Sequence, residues 1–455
     1  MATSRQHGIG IFEIGWPAAP SALAMVIVFV LAVLLTPSAQ AQTYRVIHNF
    51  TGGNGGRDGA IPENGLTRDN AGNLYGTTLH GGNGPCTGDD GLSGCGTVFQ
   101  LKHVGSGWIF NPIYDFVGGS DGAGPWGRVI FGPDGSLYGT TTAGGEGDCQ
   151  AYGYSGCGTV YRLSPPAHMC AAFSCPWTET TLYRFSGSLT GVLPNDTVVF
   201  DQSGSLYGTT YYGGLGRGVV YKLTPSGGGW TESVIYNFGS GGDAGGPLTG
   251  LTIDHAGNLY GTTNGGGSYG YGTVYGLTPS GSGWVETVLY SFQNGSDGGG
   301  SAAGLILDHS GNLYSATALG GAGGGGVVFE LTPSDGGWVF NLLYALSGSG
   351  SGPYESGPSD ILAMDAAGNL YGATQGDPSM GNYGAVFKLT PSGGGWTYTA
   401  LHVFAGGSDG SRPRSNVVFD ANGNLYGTTS FGGTGSCTGG LSPGCGVVFQ
   451  ITPPF

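Results

Sequence analysis

The chain has 455 residues, 99 of them glycine, yet 39% of its residues are apolar and 12% aromatic. That aromatic content excludes a disordered glycine-rich chain, which would lack the side chains that build a core. Only 9% of residues are charged, the net charge is −15 and lysine occurs only at Lys102, Lys222 and Lys388, so there is no basic stripe for phosphates and nucleic acid is excluded as a partner.

The chain opens with Arg5 and then an apolar run at residues 22–35 (ALAMVIVFVLAVLL), shorter than the roughly 20 residues a spanning helix needs. Ala39-Gln40-Ala41 follows as a small-x-small cleavage pattern. Residues 1–41 therefore read as a secretory signal peptide, and the mature chain starts at Gln42 with no membrane span. An uncleaved anchor is the alternative.

From residue 42 onward a seven-residue phrase recurs. It reads GNLYGTT at residues 72–78, 257–263 and 423–429, GSLYGTT at 135–141 and 204–210, GNLYSAT at 311–317 and GNLYGAT at 368–374. Its tyrosines (Tyr75, Tyr138, Tyr207, Tyr260, Tyr314, Tyr371, Tyr426) lie 53–69 residues apart, a period that signals a repeat architecture. Each unit holds four apolar runs bounded by glycine, proline and turn residues, which predicts four strands, A to D. The phrase is strand B. Strand C follows as GTVYGL-like runs, for example 272–277. Strand D opens on Trp108, Trp177, Trp230, Trp284, Trp338 or Trp396 and closes eight residues later on Phe116, Phe185, Phe238, Phe292, Leu346 or Phe404. An even spacing predicts that both ends share one strand face and pack between sheets.

Seven four-stranded units predict an all-β fold, a seven-bladed β-propeller spanning residues 42–455 as one domain. The last unit has strands A to C only, while residues 42–50 (QTYRVIHNF) have the register of a strand D. The N-terminal strand is thus expected to complete the last blade and close the ring, which removes exposed edges. An open solenoid is the rival architecture.

Eight cysteines fall as local pairs: Cys86 with Cys95, Cys149 with Cys157, Cys170 with Cys175, and Cys437 with Cys445. In an exported chain these read as four disulfides, worth roughly 2–3 kcal/mol each in the chain-entropy model. Zinc is the alternative, disfavoured because no C-x-x-C pair occurs and the histidines are scattered. No metal and no cofactor are expected.

The phrase, the G-[TV]-V-[FY]-x-L strand and the LTPSGGGW turn at residues 223–230 and 389–396 resemble the GloVer tandem-repeat family of secreted bacterial proteins, also called choice-of-anchor repeat proteins. The resemblance covers about residues 42–455. It implies export and an extracellular or cell-surface location, and it supplies no catalytic residues. Family members end in various anchors; this chain ends at Phe455 without one.

Alternating strands place the A–B and C–D turns on one face and the D–A and B–C loops on the other. The A–B turn aspartates (Asp69, Asp201, Asp254, Asp308, Asp365, Asp420, with Asp134 displaced in the second unit) read as turn-formers bonded to backbone N–H groups. The D–A loops carry Asp58, Asp121, Asp297 and Asp409 before glycine, with Asp243-Ala244 in the same register; these are turns, with calcium as the alternative. Cysteine-bounded B–C loops in the first, second and seventh units make one rigid sector of a closed ring. That sector holds Trp126, in Gly124-Pro125-Trp126-Gly127-Arg128, and Tyr152 and Tyr154 inside a cystine loop, with Asp89, Asp90 and Glu146 near in sequence. Exposed aromatics beside polar groups suit sugar faces, so the candidate binding set is Trp126, Arg128, Tyr152, Tyr154 and Asp121. The plainer reading is that Trp126 fills the gap between the first two blades.

Catalytic signals are thin. Glu179, Glu232 and Glu286 sit at a repeated position of strand D. Glu63, Glu146 and Glu355 are the loop acids available to a paired-carboxylate mechanism. No metalloprotease, serine-hydrolase, sialidase or P-loop motif occurs. The expected function is a non-enzymatic, monomeric extracellular module that binds polysaccharide or a cell-surface partner. The alternatives are a propeller glycoside hydrolase or lyase and a purely structural envelope protein.

Overall fold

A computed structural model describes residues 42–52, 58–166, 177–187, 189–239, 244–301, 303–347, 357–358, 360–438 and 442–455. The leader at 1–41, Cys170 and Cys175, Asp243 and Glu355 lie outside the described residues. Seven four-stranded antiparallel sheets form the blades of a propeller. The first runs Thr67–Arg68, Leu74–Thr78, Thr97–Val104 and Gly107–Asp115 as strands A to D. The last joins Val418–Phe419, Leu425–Thr429 and Val447–Thr452 to Thr43–Asn49 from the other end of the chain. Thr43 pairs with Thr452 and Asn49 with Val447, so the N-terminal strand closes the ring as expected. No helix among the described residues is long and apolar enough to cross a membrane.

The repeated phrase is explained residue by residue. In the A–B turn, Asp69 accepts from the Asn73 backbone N–H (2.8 Å), the Asn73 amide (2.7 Å) and the Tyr75 hydroxyl (3.0 Å). The same set recurs at Asp254, Asp365 and Asp420. In the second blade Asp134, two places later, still accepts from Tyr138 (3.1 Å). Burial and the adjacent Asp69 push the Tyr75 hydroxyl up to about 12. The first threonine of the phrase reaches the next blade: Thr77 donates to the Gly127 carbonyl, Thr140 to Asp196, Thr209 to Thr249, Thr262 to Ala303, and Thr428 to Asn64 across the closure. The second threonine stays within its own blade; Thr78 bonds the His80 carbonyl and the Thr97 hydroxyl.

A second circumferential device lies just before strand A. The residue preceding the D–A loop proline is left-handed: Ile61 (φ 56°), Gly124 (62°), Leu193 (60°), Gly246 (68°), Gly357 (58°) and Arg412 (55°), with Gly300 (56°) in the blade that lacks the proline. That conformation turns its N–H onto the preceding blade: Ile61 donates to the Cys445 carbonyl, Gly124 to Cys95, Leu193 to Cys157, Gly246 to Arg217, Gly300 to Tyr271, Gly357 to Gly325 and Arg412 to Tyr383. Each bond offsets the cost of the unusual backbone.

The core consists of apolar layers between blades. The ends of strand D do pack there, but not on one face. Every strand D carries a β-bulge: Val98 pairs with Tyr114 while Phe99 pairs with Pro112, leaving Ile113 over. The corresponding extra residues are Leu182, Ile235, Leu289, Leu343, Leu401 and Ile47. One extra residue reverses the facing of all that follows. Trp108 therefore packs back on Tyr426 of the seventh blade, while Phe116 packs forward on Tyr161 of the second. Trp230 and Phe238 repeat this with Tyr138 and Tyr275. The same-face expectation fails because the bulge lies between the two ends of the strand.

Strand C completes each layer with a fully buried ring, Phe99, Tyr161, Tyr221, Tyr275, Phe329, Phe387 or Phe449. Its partner at the third position of strand D matches it. Phe99, Phe329 and Phe387 stack on Phe110, Phe340 and Tyr398; Tyr161, Tyr221 and Tyr275 lie near Glu179, Glu232 and Glu286. Burial raises the Glu179 and Glu232 carboxyls, and Tyr183 and Tyr236 donate to Glu232 and Glu286. These glutamates are parts of the blade interior, as their repetition implied.

Candidate functional site

Three cystines, Cys86–Cys95, Cys149–Cys157 and Cys437–Cys445, brace the B–C loops of the first, second and seventh blades. The fourth expected disulfide, between Cys170 and Cys175, is not among them, because Cys170 and Cys175 both lie outside the described residues. The three braced blades are neighbours in the ring, and their loops interlock. The Asp89 N–H donates to the Tyr152 carbonyl (3.1 Å), and the Cys437 and Cys445 side chains share a core layer with Ile61 and Phe431, against which Leu92 packs.

The sequence-based candidates separate into two groups. Trp126 and Tyr152 come together, ring centroids 4.8 Å apart and planes 26° from parallel. Trp126 is half-buried and packs on the layer shared by the seventh and first blades, so it fills space there as well as contributing to a surface. Tyr152 is 38% exposed and left-handed (φ 53°). Tyr154 and Asp121 turn inward. Tyr154 is 3% exposed; its hydroxyl meets His80 Nδ1 and the Gly94 carbonyl, and His80 Nε2 lies 3.2 Å from Asp90. Burial pushes the Tyr154 hydroxyl up. Asp121 is buried and accepts from the Tyr114 hydroxyl and the Val117 N–H, both at 3.0 Å. Asp297 and Asp409 do the same with Tyr290 and His402, so these aspartates lock strand D to the following loop. Tyr154 and Asp121 are thus both buried, unlike the exposed Tyr152 ring. Glu146 is exposed on the cystine loop of the second blade.

A register within the D–A loops organises the rest. In the six blades that have the loop proline, the next position carries Glu63, Trp126, Asn195, Leu248, Ser359 and Arg414; Ser359 lies outside the described residues, and the others occupy one register just before strand A, at the mouth of the loop face. Glu63 is buried, and its carboxylate meets Arg414 Nη1 at 2.6 Å across the ring closure. Arg414 Nε and Arg412 Nη2 both donate to Gln375 Oε1, at 3.0 and 2.9 Å. Glu63 holds the Arg414 guanidinium above its usual range. Tyr152 lies within electrostatic reach of Glu63, Arg414, Tyr211 and Tyr212, its hydroxyl raised first by burial and then by Glu63. One mouth thus gathers a stacked aromatic pair, a carboxylate–guanidinium pair, a second guanidinium and an amide. Arg412, Arg414 and Gln375 were not singled out from the sequence. The signal for the two arginines is the proline register, in which Arg412 precedes and Arg414 follows the loop proline.

Arg128 lines a small cavity with Asp196 and Asp360. Asp196 accepts from the Thr197 and Gly250 N–H groups, both at 2.6 Å, and Asp360 from Ile361 (2.6 Å) and Asn416 (2.8 Å). Burial and the facing Asp196 push Asp360 up to about 7, against the pull of Arg128. The folded chain therefore holds a proton that the unfolded chain, with carboxyls near pH 4, releases. The contribution of Asp360 to stability is expected to be fully present below about pH 4, to fall as pH rises through about 7, and to stay level above that. Urea midpoints between pH 4 and 8 measure this; Asp360→Asn should flatten the profile, and an unchanged profile would contradict the assignment. A larger cleft, about 690 Å³, opens on the opposite face between the fourth and fifth blades. Its carboxylates, Asp254 and Asp308, are committed to their turns. Among the described residues no group of three or more His, Cys, Asp and Glu side chains is placed to hold a metal ion.

Fold and mouth together define a closed seven-bladed propeller built from one blade sequence, with side-chain variety gathered on its loop face. The chain belongs to the Gloeobacter/Verrucomicrobia repeat family, whose model matches residues 32–252 and 215–441, in agreement with the resemblance carried by the phrase. No curated protein matches it in sequence. Among solved structures it is similar to a Thermus thermophilus protein assigned as an oxidoreductase (glucose dehydrogenase), at 17% identity and TM-score 0.41, covering 90% of this chain and 100% of that one. It is similar also to a Bacteroides uniformis protein assigned as a 6-phosphogluconolactonase, at 15% and 0.45, covering 75% and 84%. PorZ, a surface component of the type-IX secretion system of Porphyromonas gingivalis, matches at 14% and 0.44, covering 85% of this chain and 46% of that one. These likenesses concern the fold and carry no argument about activity.

Proposed function

We propose that the chain is an exported, non-enzymatic binding module that engages a glycan, free or on a cell surface, through the mouth formed by its seventh, first and second blades. The observation that carries this is the Trp126–Tyr152 stack beside the Glu63–Arg414 pair. A ring platform supports the apolar face of a sugar, and fixed donors and acceptors at its edge meet the hydroxyls. Three local cystines, the family and the leader pattern support export, with the mature chain starting at Gln42. Glu63 is tied at 2.6 Å to a guanidinium, an arrangement that suits recognition; a general acid would need its proton free to transfer.

The test is retention of the mature protein on a panel of insoluble polysaccharides, with released soluble sugar assayed in the same tubes. Tyr152→Gly removes the exposed ring while suiting the left-handed backbone at that position, and Trp126→Ala removes its partner. Both are expected to weaken retention about tenfold without sugar release. Sugar release by the parent chain would establish the hydrolase or lyase reading instead. Absence of retention and release across the panel would leave a structural role.

A further inference from the structure

We infer that the ligand of this mouth carries a carboxylate, as a uronic acid residue does. The inference rests on the glycan reading above and adds the charge of the sugar. Its starting point is the left-handed residue before each D–A loop proline or its counterpart. In four blades that residue is glycine, which adopts the conformation freely: Gly124, Gly246, Gly300 and Gly357. In two it is an apolar side chain packed between blades, Ile61 and Leu193. Among the described residues only Arg412 combines the strained backbone with a charged side chain. Strain at a residue that buries no apolar side chain points to a task for that side chain.

The surroundings of Arg412 say what the task is. Gln375 fixes its Nη2 and also holds Arg414 Nε, so two guanidinium groups are clamped by one amide oxygen. Glu63 neutralises Arg414. Among the described residues Arg412 has no equivalent counter-ion. Asp377, the other carboxylate in its reach, already accepts from the Ser379 N–H and hydroxyl in an exposed turn. Arg412 Nε is buried without a partner, and its Cζ lies 6.0 Å from the centre of the Phe431 ring. Burial and the adjacent Arg414 hold the Arg412 guanidinium below its usual range, the mark of a positive charge poorly supported in the free protein. An anion at this place relieves both the desolvation and the like-charge repulsion, and a carboxylate matches guanidinium geometry. Tyr152, within reach of Arg414 and Glu63, places a ring where the sugar bearing that carboxylate would lie. The chain's net charge of −15 opposes a polyanion at long range, but at physiological salt that repulsion is screened beyond about 8 Å, so short oligosaccharides read the local site.

The experiment is calorimetric titration at 0.15 M salt of a trigalacturonate and an alginate trisaccharide, each beside its methyl ester, into the mature chain, Arg412→Gly and Tyr152→Gly. Glycine is the residue other blades use at position 412, so the variant is expected to unfold at or above the parent's temperature. The parent should bind at least one acid about 10-fold or more tighter than its ester. Arg412→Gly should lose that preference and bind acid and ester alike; Tyr152→Gly should weaken both. Equal affinity for acid and ester in the parent, or a preference that survives in Arg412→Gly, overturns the carboxylate inference and leaves the glycan reading standing. Retention on a neutral polysaccharide with no binding of the acids does the same. No binding of any trisaccharide together with an empty polysaccharide panel overturns both.

Discussion

A chain that begins at Thr51 is expected to lose its cooperative unfolding transition and to self-associate. The strand Thr43–Asn49 serves as strand D of the seventh blade and covers Val447–Thr452 along its length. Without it the outer edge of Val447–Thr452 opens, and an exposed edge recruits other chains. Phe50, at the end of that strand, is fully buried against Phe99 of the first blade (5.2 Å), and Tyr44 stacks on His402 of the sixth (3.6 Å). Truncation of Phe50 to alanine alone should cost about 3–5 kcal/mol, a large share of the roughly 5–15 kcal/mol that holds an ordinary domain. Thermal unfolding and size-exclusion chromatography read both variants, and a peptide of residues 42–50 added in trans should restore the monomer. A truncated chain that stays monomeric with an unchanged midpoint would show that the ring is held elsewhere.

Gly208→Ala is expected to be strongly destabilising. Gly208 is the second glycine of the phrase in the third blade and lies directly across from Tyr221. A Cβ there would stand 2.3 Å from the Tyr221 hydroxyl and 2.5 Å from its Cζ, and Tyr221 is fully buried. Overpacking of this kind costs about 1–3 kcal/mol or more. The fifth blade shows how the chain accommodates a larger residue: Ser315 replaces the glycine, faces Phe329 rather than a tyrosine, and donates to the Ala303 carbonyl. Tyr221→Phe should therefore recover part of the loss in the double variant. Alone it should be neutral or stabilising, because the Tyr221 hydroxyl is buried without a partner. Urea midpoints of the three variants decide it. If Tyr221→Phe restores nothing, the clash with the hydroxyl is not the cause.

Much of this architecture was legible because one phrase encodes a whole turn and its strand. Aspartate, asparagine and tyrosine at fixed offsets satisfy one another, and the threonines reach a neighbour whose backbone is the same in every blade. The closing strand was legible for the same reason: residues 42–50 fit the only vacancy in the count. The strand D bulge was not legible, since an aliphatic residue such as Ile113 or Leu182 looks like any other strand residue, and only pairing with strand C shows it to be surplus. In the candidate site, Trp126 and Tyr152 stood out as aromatics in unusual places, while Tyr154 and Asp121 looked equally accessible. Burial separates them, and burial depends on which loops touch. Arg412 and Arg414 went unseen because their meaning lies in register: each occupies a place that other blades fill with glycine, leucine or asparagine.

The hydrogen bond from the left-handed residue before strand A to the preceding blade is made by backbone atoms alone, seven times around the ring. That bond itself does not depend on which side chains stand at mouth positions such as 63, 126, 195, 248 and 414. The loop face behaves as a set of interchangeable sockets in a rigid frame, so kindred chains could acquire different ligands by rewriting a few residues after the proline, and this chain's own preference should be transferable by the same few substitutions.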